Sequence, residues 1–202
     1  MESVYEFVVR PKGERYNNTT KVEDRELILN TEVFNHQYVN REAEVIGVPR
    51  MFETNIEVGD TVIIHHNVFR RWHDMKGRER NSKSYFDDDT YIIGGDQIYL
   101  CKKPTGEIVP PTGFCFVQPV KATDQYNIDK EKPLVGVMKH ADSVLKSSGI
   151  TNGDLIGFTP GDEYEFVIDG ERLYRIYSKF ITIKYGHQGK EETYNPSWAK
   201  SS

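Results

Sequence analysis

Cysteine is scarce in this chain: Cys101 and Cys115 are the only two among 202 residues. Two thiols exclude a disulfide framework, no CxxC pair occurs, and this usage fits a reducing cytoplasm. No apolar run approaches the ~18 residues that would mark a membrane-spanning segment. Met1 to Glu6 has neither a charged start nor an apolar core, so no secretion signal is expected there. Positive charge is not in excess either. Lys and Arg number 26 against 31 Asp and Glu, a net charge of −5, which argues against a general nucleic-acid or membrane-surface binder with a basic face. Helical periodicity is almost missing, with His140 to Ser148 the one candidate stretch. There is no phosphate-cradling glycine loop and no recognisable set of nucleophile, base and orienting group. Neither an enzyme nor a bound cofactor or metal is therefore expected.

What the chain does contain is strand. Val4–Arg10, rich in β-branched and aromatic residues, runs to Pro11, and Glu44–Val48 runs to Pro49. Gly59-Asp60 opens Thr61–His66. Tyr91–Ile93, Gln97–Cys101 and Gly113–Val117 follow, the last expected to stop at Pro119. Later come Leu134–Met138, Asp154–Phe158, Tyr164–Ile168, Arg172–Ile176 and Phe180–Ile183. Asp169-Gly170 is a hairpin-turn signal because glycine accepts positive φ, and Gly94-Gly95-Asp96 reads the same way. Many short strands between glycine and proline turns predict an all-β protein of small barrels or sandwiches.

The strand list repeats. Phe7–Pro11 matches Phe116–Pro119; Val45–Val48 matches Leu134–Val137; Ile56–Ile63 matches Ile150–Gly157; Gly95–Tyr99 matches Gly170–Tyr174. Four landmarks in one order predict two tandem domains, 1–110 and 111–186, followed by a tail, 187–202. The boundary falls where Pro104, Gly106, Pro110 and Pro111 cluster. Pro11 to Gly59 spans 48 positions but Pro119 to Gly153 only 34. The first copy thus carries a long polar excursion, 12–42, and also an insertion, 69–89.

Within the excursion one stretch is apolar, Leu27-Ile28-Leu29 between Glu26 and Asn30. Three adjacent aliphatics on a polar loop are costly to expose without a partner. The bland alternative is that they form a strand or tuck against their own barrel.

A first strand ending near proline, a long loop bearing an aliphatic tripeptide, Val45-Ile46-Gly47-Val48, then Val58-Gly59-Asp60-Thr61-Val62 and an Ile-rich last strand together resemble the bacterial and phage co-chaperonin family (chaperonin-10, GroES type). The turn Ile168–Tyr174 followed by Phe180–Ile183 resembles the family's closing strands. The resemblance implies tandem, partly open co-chaperonin-type β-barrels in a bacterial or phage-infected cytoplasm. It implies a lid that binds the apical domains of a GroEL-type chaperonin ring and assists protein folding. Leu27, Ile28 and Leu29 would be the chaperonin-binding residues, on a loop that becomes ordered on contact. ATP would be bound and hydrolysed by the partner. Docking three aliphatics gains roughly 1.5–3 kcal/mol each, while ordering a loop costs about 1–2 kcal/mol per residue. A single loop would bind weakly, so a homo-oligomeric ring of loops is expected to supply avidity. The rival reading is a non-chaperone β-barrel module, a viral structural or adaptor protein.

Two further constellations stand out. Arg70, Arg71, Trp72, Lys76, Arg78 and Arg80, with Phe69 and Lys83 beside them, crowd the insertion and are candidate contacts for single-stranded nucleic acid. The acidic whole and Asp87-Asp88-Asp89 favour instead a solvated, self-balanced loop. His65-His66, His73-Asp74 and Asp87–Asp89 could be drawn together as metal ligands, but adjacent histidines on a strand would face opposite ways.

Overall fold

The computed structural model describes residues 3–16, 19–22, 25–28, 39–88, 90–123, 130–161, 163–186 and 191–201, with backbone alone for 19–22, 25–28, 200 and 201. The chain divides into two compact units, Met1–Val109 and Pro110–Ser202.

The first unit contains β1 (Phe7–Pro11), β2 (Thr19–Val22), β3 (Arg25–Ile28), β4 (Glu42–Gly47), β5 (Thr61–Ile64), β6 (Arg71–His73), β7 (Glu79–Asn81), β8 (Tyr85–Asp87), β9 (Thr90–Ile93), β10 (Ile98–Lys102) and β11 (Ile108–Val109). The second contains β12 (Phe114–Lys121), β13 (Glu131–His140), a short helix α1 (Ser143–Ser147), β14 (Leu155–Phe158), β15 (Tyr164–Ile168), β16 (Glu171–Tyr177) and β17 (Ile181–Lys184). All pairings between these strands are antiparallel. The protein is all-β.

The first unit's main sheet has the order β11-β10-β5-β4-β1-β9-β8, and the second unit's has β17-β14-β13-β12-β16-β15. Apart from the extra edge strand β11, the two orders are the same. Among the described residues neither sheet closes into a barrel. Alternation places one face of each strand in a core: Phe7 and Val9, Ala43 and Val45, Val62 and Ile64 are buried in the first unit. Cys115 and Val117, Met138, Ile156 and Ile176 fill the second. Both thiols are fully buried, and burial pushes each up to about 12.

The repeat is sharpest at one turn. Gly59 and Gly153 share φ +94°, a conformation that costs glycine little. The Gly59 amide donates to the Val45 carbonyl (2.8 Å) and the Gly153 amide to that of Met138 (2.7 Å). The next residue, Asp60 or Asp154, is buried and accepts on Oδ2 the amide of Glu57 (2.8 Å) or Thr151 (2.7 Å). A lysine then caps each carboxylate: Lys103 at 2.9 Å and Lys184 at 2.7 Å.

This geometry corrects two of the four landmark matches. Ala43 pairs with Pro11 and Gly136 with Pro119, so Gly136 corresponds to Ala43, not to Gly47. Gly95–Tyr99 does not correspond to Gly170–Tyr174 either. The 3-10 turn Gly95–Gln97 precedes β10, whose place in the second sheet belongs to β17, preceded by the 3-10 turn Ser178–Phe180. Gly94-Gly95-Asp96 is accordingly a connection between non-paired strands rather than a hairpin turn. Pro119 does not end its strand: β12 runs through it to Lys121, with a register shift at that point. Residues 191–194 lie along the edge of β12 that β16 leaves beyond Val117. The Lys121 amide donates to the Glu192 carbonyl (2.8 Å) and the Tyr194 amide to that of Pro119 (2.8 Å). The described part of the tail is thus built into the second unit.

Burial alone would raise the Asp60 pKa, but the Glu57 amide and the Lys103 ammonium hold it below the usual carboxylate range. A depressed folded-state pKa stabilises above the unfolded value of about 3.9 and loses that contribution as pH falls below it. Asp60→Asn should destabilise the protein by about 1.5–3 kcal/mol at pH 7. Denaturant titration should find the difference from wild type shrinking towards pH 3. An undiminished difference there would show that charge at Asp60 is not what matters. Cys101 and Cys115 should resist thiol reagents in the native state and react once the chain is unfolded in denaturant.

Candidate functional site

Both segments singled out on the first unit leave the main sheet as separate two-stranded hairpins. In the excursion β2 pairs with β3, from Thr19 opposite Ile28 to Val22 opposite Arg25. Leu27 and Ile28 lie in β3 with Thr20 and Thr19 across from them; Leu29 lies outside the described residues. In the insertion β6 pairs with β7, placing Trp72 opposite Arg80 and His73 opposite Glu79. The insertion is therefore an ordered hairpin, with Asp74 forming its tip. Asp74 Oδ1 accepts the amides of Lys76 (2.9 Å) and Arg78 (3.0 Å), and Gly77 takes φ +71°. The Arg78 amide is foremost in holding the Asp74 carboxyl below its ordinary pKa. Met75 is fully exposed at this tip.

The bases of the two hairpins are tied together. Tyr16 and Val39 form a bridge that closes the excursion, and both are buried. Buried Asn40 seals the neck: its side-chain amide donates to the carbonyls of Lys12 (3.1 Å) and Glu14 (2.9 Å), and its Oδ1 accepts the Glu42 amide (2.9 Å). From this neck Tyr16 Oη accepts the backbone amide of Arg71 (2.7 Å), whose guanidinium lies 5.1 Å over the Tyr16 ring. Arg15 Nη2 donates to the Phe69 carbonyl (3.0 Å) and to Asn81 Oδ1 (3.1 Å). Its guanidinium also lies over the rings of Tyr91 (5.4 Å) and Tyr85 (5.8 Å). Buried Tyr91 is pushed up to about 12, chiefly by burial. Val68 and Phe69 enter the core and anchor the second hairpin.

Charge on the insertion is divided. Arg71 pairs with Glu79 (3.1 Å) and Arg80 with Asp74 (3.1 Å). Arg70, Lys76, Arg78 and Lys83 carry no ion pair among the described residues. Arg70, Trp72 and Lys83 line a cleft of about 470 Å³; Lys76 and Arg78 sit at the tip of the hairpin. Asp88, expected to balance this charge, accepts the Tyr85 hydroxyl (2.7 Å).

The histidine pair departs from the sequence reading for a simple reason. Strand β5 ends at Ile64, so His65 and His66 do not alternate on a strand, and their rings stack with centroids 4.3 Å apart. His65 Nδ1 accepts the Asn67 amide (3.1 Å). Among the described residues no three His, Cys, Asp or Glu side chains are grouped to hold a metal, and no helix is long and apolar enough to cross a membrane.

A cleft of about 740 Å³ lies in the second unit, lined in part by Lys130, Glu131, Arg172, Tyr194 and Trp198. Two of its lining groups, Glu131 and Arg172, are held in one network. Arg172 donates to Glu165 (2.7 Å), Glu131 (2.6 Å) and the Tyr174 hydroxyl oxygen (2.6 Å), and that hydroxyl donates to Glu131 (2.6 Å). The network braces the hairpin β15–β16 against the start of β13 and leaves those groups little capacity for a ligand.

The Arg15–Tyr16–Asn40 neck was not visible in the sequence, since each residue is unremarkable alone and 28 positions separate Lys12 from its Asn40 partner. The hairpin in the insertion did leave a signal, Asp74 and Gly77 spaced for a turn between Arg71-Trp72-His73 and Glu79-Arg80-Asn81. Neither a family model nor a curated protein matches the chain.

Because Arg15 holds both necks, Arg15→Ala should loosen both hairpins at once. Limited proteolysis should cut faster within 12–42 and within 69–83, by about 5- to 30-fold if some 1–2 kcal/mol of local stability is lost. Acceleration in only one segment would mean that the two hairpins are not coupled through this residue.

Proposed function

We propose that the protein is a co-chaperonin-like lid, built of two tandem GroES-like units, that caps a chaperonin ring and helps to enclose a folding client. The observation that carries this reading is the arm of the first unit. A hairpin separate from the main sheet bears Leu27 and Ile28 and rises from a neck closed by buried Tyr16, Val39 and Asn40. Leu27, Ile28 and Leu29 enter an apolar groove on the partner's apical domain. The common strand order of the two main sheets supports a duplicated unit, of which the second has no aliphatic tripeptide between Thr123 and Lys132.

Backbone pairing already present in β2–β3 reduces the ordering cost of docking relative to a fully open loop. One arm still buries only three aliphatic side chains, so useful affinity comes from several arms on a homo-oligomeric ring. The chain performs no chemistry of its own in this scheme; adenine nucleotide acts on the partner, in the cytoplasm.

Co-migration with a GroEL-type ring on size exclusion should occur in the presence of adenine nucleotide and not without it. The triple substitution Leu27→Ser, Ile28→Ser, Leu29→Ser should reduce binding by more than about 100-fold, since avidity multiplies each arm's loss. Undiminished binding by the triple variant would overturn the docking site. Absence of nucleotide-dependent co-migration would favour an adaptor module instead.

A further inference from the structure

We propose that the cleft beside the β6–β7 hairpin binds single-stranded nucleic acid, with Trp72 as the stacking face and Arg70, Lys76, Arg78 and Lys83 as phosphate contacts. From Asn67 to Phe86 the chain carries six Lys and Arg against only Asp74 and Glu79, whereas the whole protein is acidic. Both carboxylates are spent on Arg71 and Arg80. The four remaining cations are distributed along one hairpin and its base, the spacing a flexible phosphate backbone can follow.

The aromatic member is placed for use. Trp72 is 46% exposed, although a buried indole would have stabilised the unit more. It lines the cleft with Arg70 and Lys83, and Asn67, Ser82, Ser84 and Gln97 complete the wall. An amide or hydroxyl on this wall can meet the edge of a base stacked on the indole. The Nε of Arg70 is buried without a hydrogen-bond partner, a donor still to be satisfied at the edge of the cleft. The tip is set by the Asp74 turn, so binding need not order a loose loop. A duplex hides its base faces, and the indole would have nothing to stack on; single strands are the class that fits.

The site uses none of Leu27, Ile28 and Leu29 and does not depend on the lid reading. Fluorescence anisotropy of short labelled oligodeoxythymidine or oligouridine, titrated with the full chain, tests it. Binding is expected with a Kd in the range of about 10⁻⁴–10⁻⁶ M at moderate salt, with log K falling by about 0.7 per phosphate contact per decade of salt. Trp72→Ala should weaken it about 5- to 100-fold. Lys83→Glu, at an exposed position, should weaken it and flatten the salt dependence. In a Trp198→Phe background Trp72 is the sole indole, and its emission should be quenched at saturation. The Leu27–Leu29 triple variant should bind oligonucleotide as wild type does. No anisotropy change at about 100 μM protein in low salt, two decades into the expected range, would overturn the proposal. So would equal affinity for duplex, or unchanged affinity in both Trp72→Ala and Lys83→Glu.

Discussion

A buried carboxylate at the turn into β5 or β14 organises each unit. Asp60 and Asp154 sit almost out of water, where an unpaired charge would be too costly to keep. Each is held by a backbone amide three residues earlier and by a lysine, Lys103 from just beyond β10 or Lys184 from β17. These bonds fix the approach to β5 or β14 and, through the neighbouring Gly59 or Gly153 amide, its register on β4 or β13. With that register set, alternate residues of three adjacent strands face the same core.

The electrostatic requirement recurs although the donors do not align. In strand register Cys101 lies opposite Val62, and Lys184 lies opposite Ile156, the counterpart of Val62. Lys184 thus reaches its carboxylate from the position that Cys101 holds in the first unit, where Cys101 Sγ lies 3.3 Å from Asp60 Oδ2. Lys103 reaches Asp60 from two residues further along. One buried charge has been answered twice by the same functional group from different places on the chain.

The first unit differs by two hairpins that share a foundation. Arg15 and Tyr16 join the excursion's neck to the backbone of the insertion at Phe69 and Arg71. The proposed chaperonin arm and the proposed nucleic-acid cleft therefore stand on one set of part-buried polar contacts. Their hydrogen bonds lie beside core residues Val39, Val68 and Phe69, where water competes poorly.

The sequence by itself determined the all-β class and most strands, because β-branched alternation and glycine or proline punctuation are local signals. It also determined the Val58–Thr61 and Asn152–Leu155 turns, since a left-handed glycine followed by a turn-capping aspartate is written in adjacent residues. Tertiary structure decided the register of the repeat, where Gly136 answers Ala43 rather than Gly47, because a strand's partner is chosen by pairing across the sheet and not by its own residues. It also decided that Pro119 could remain inside β12, that the tail would cover that strand's edge, and that Trp72 would share a cleft with Arg70 and Lys83. Each of these depends on groups distant in the chain meeting in space, and such meetings leave no periodicity for the sequence to display.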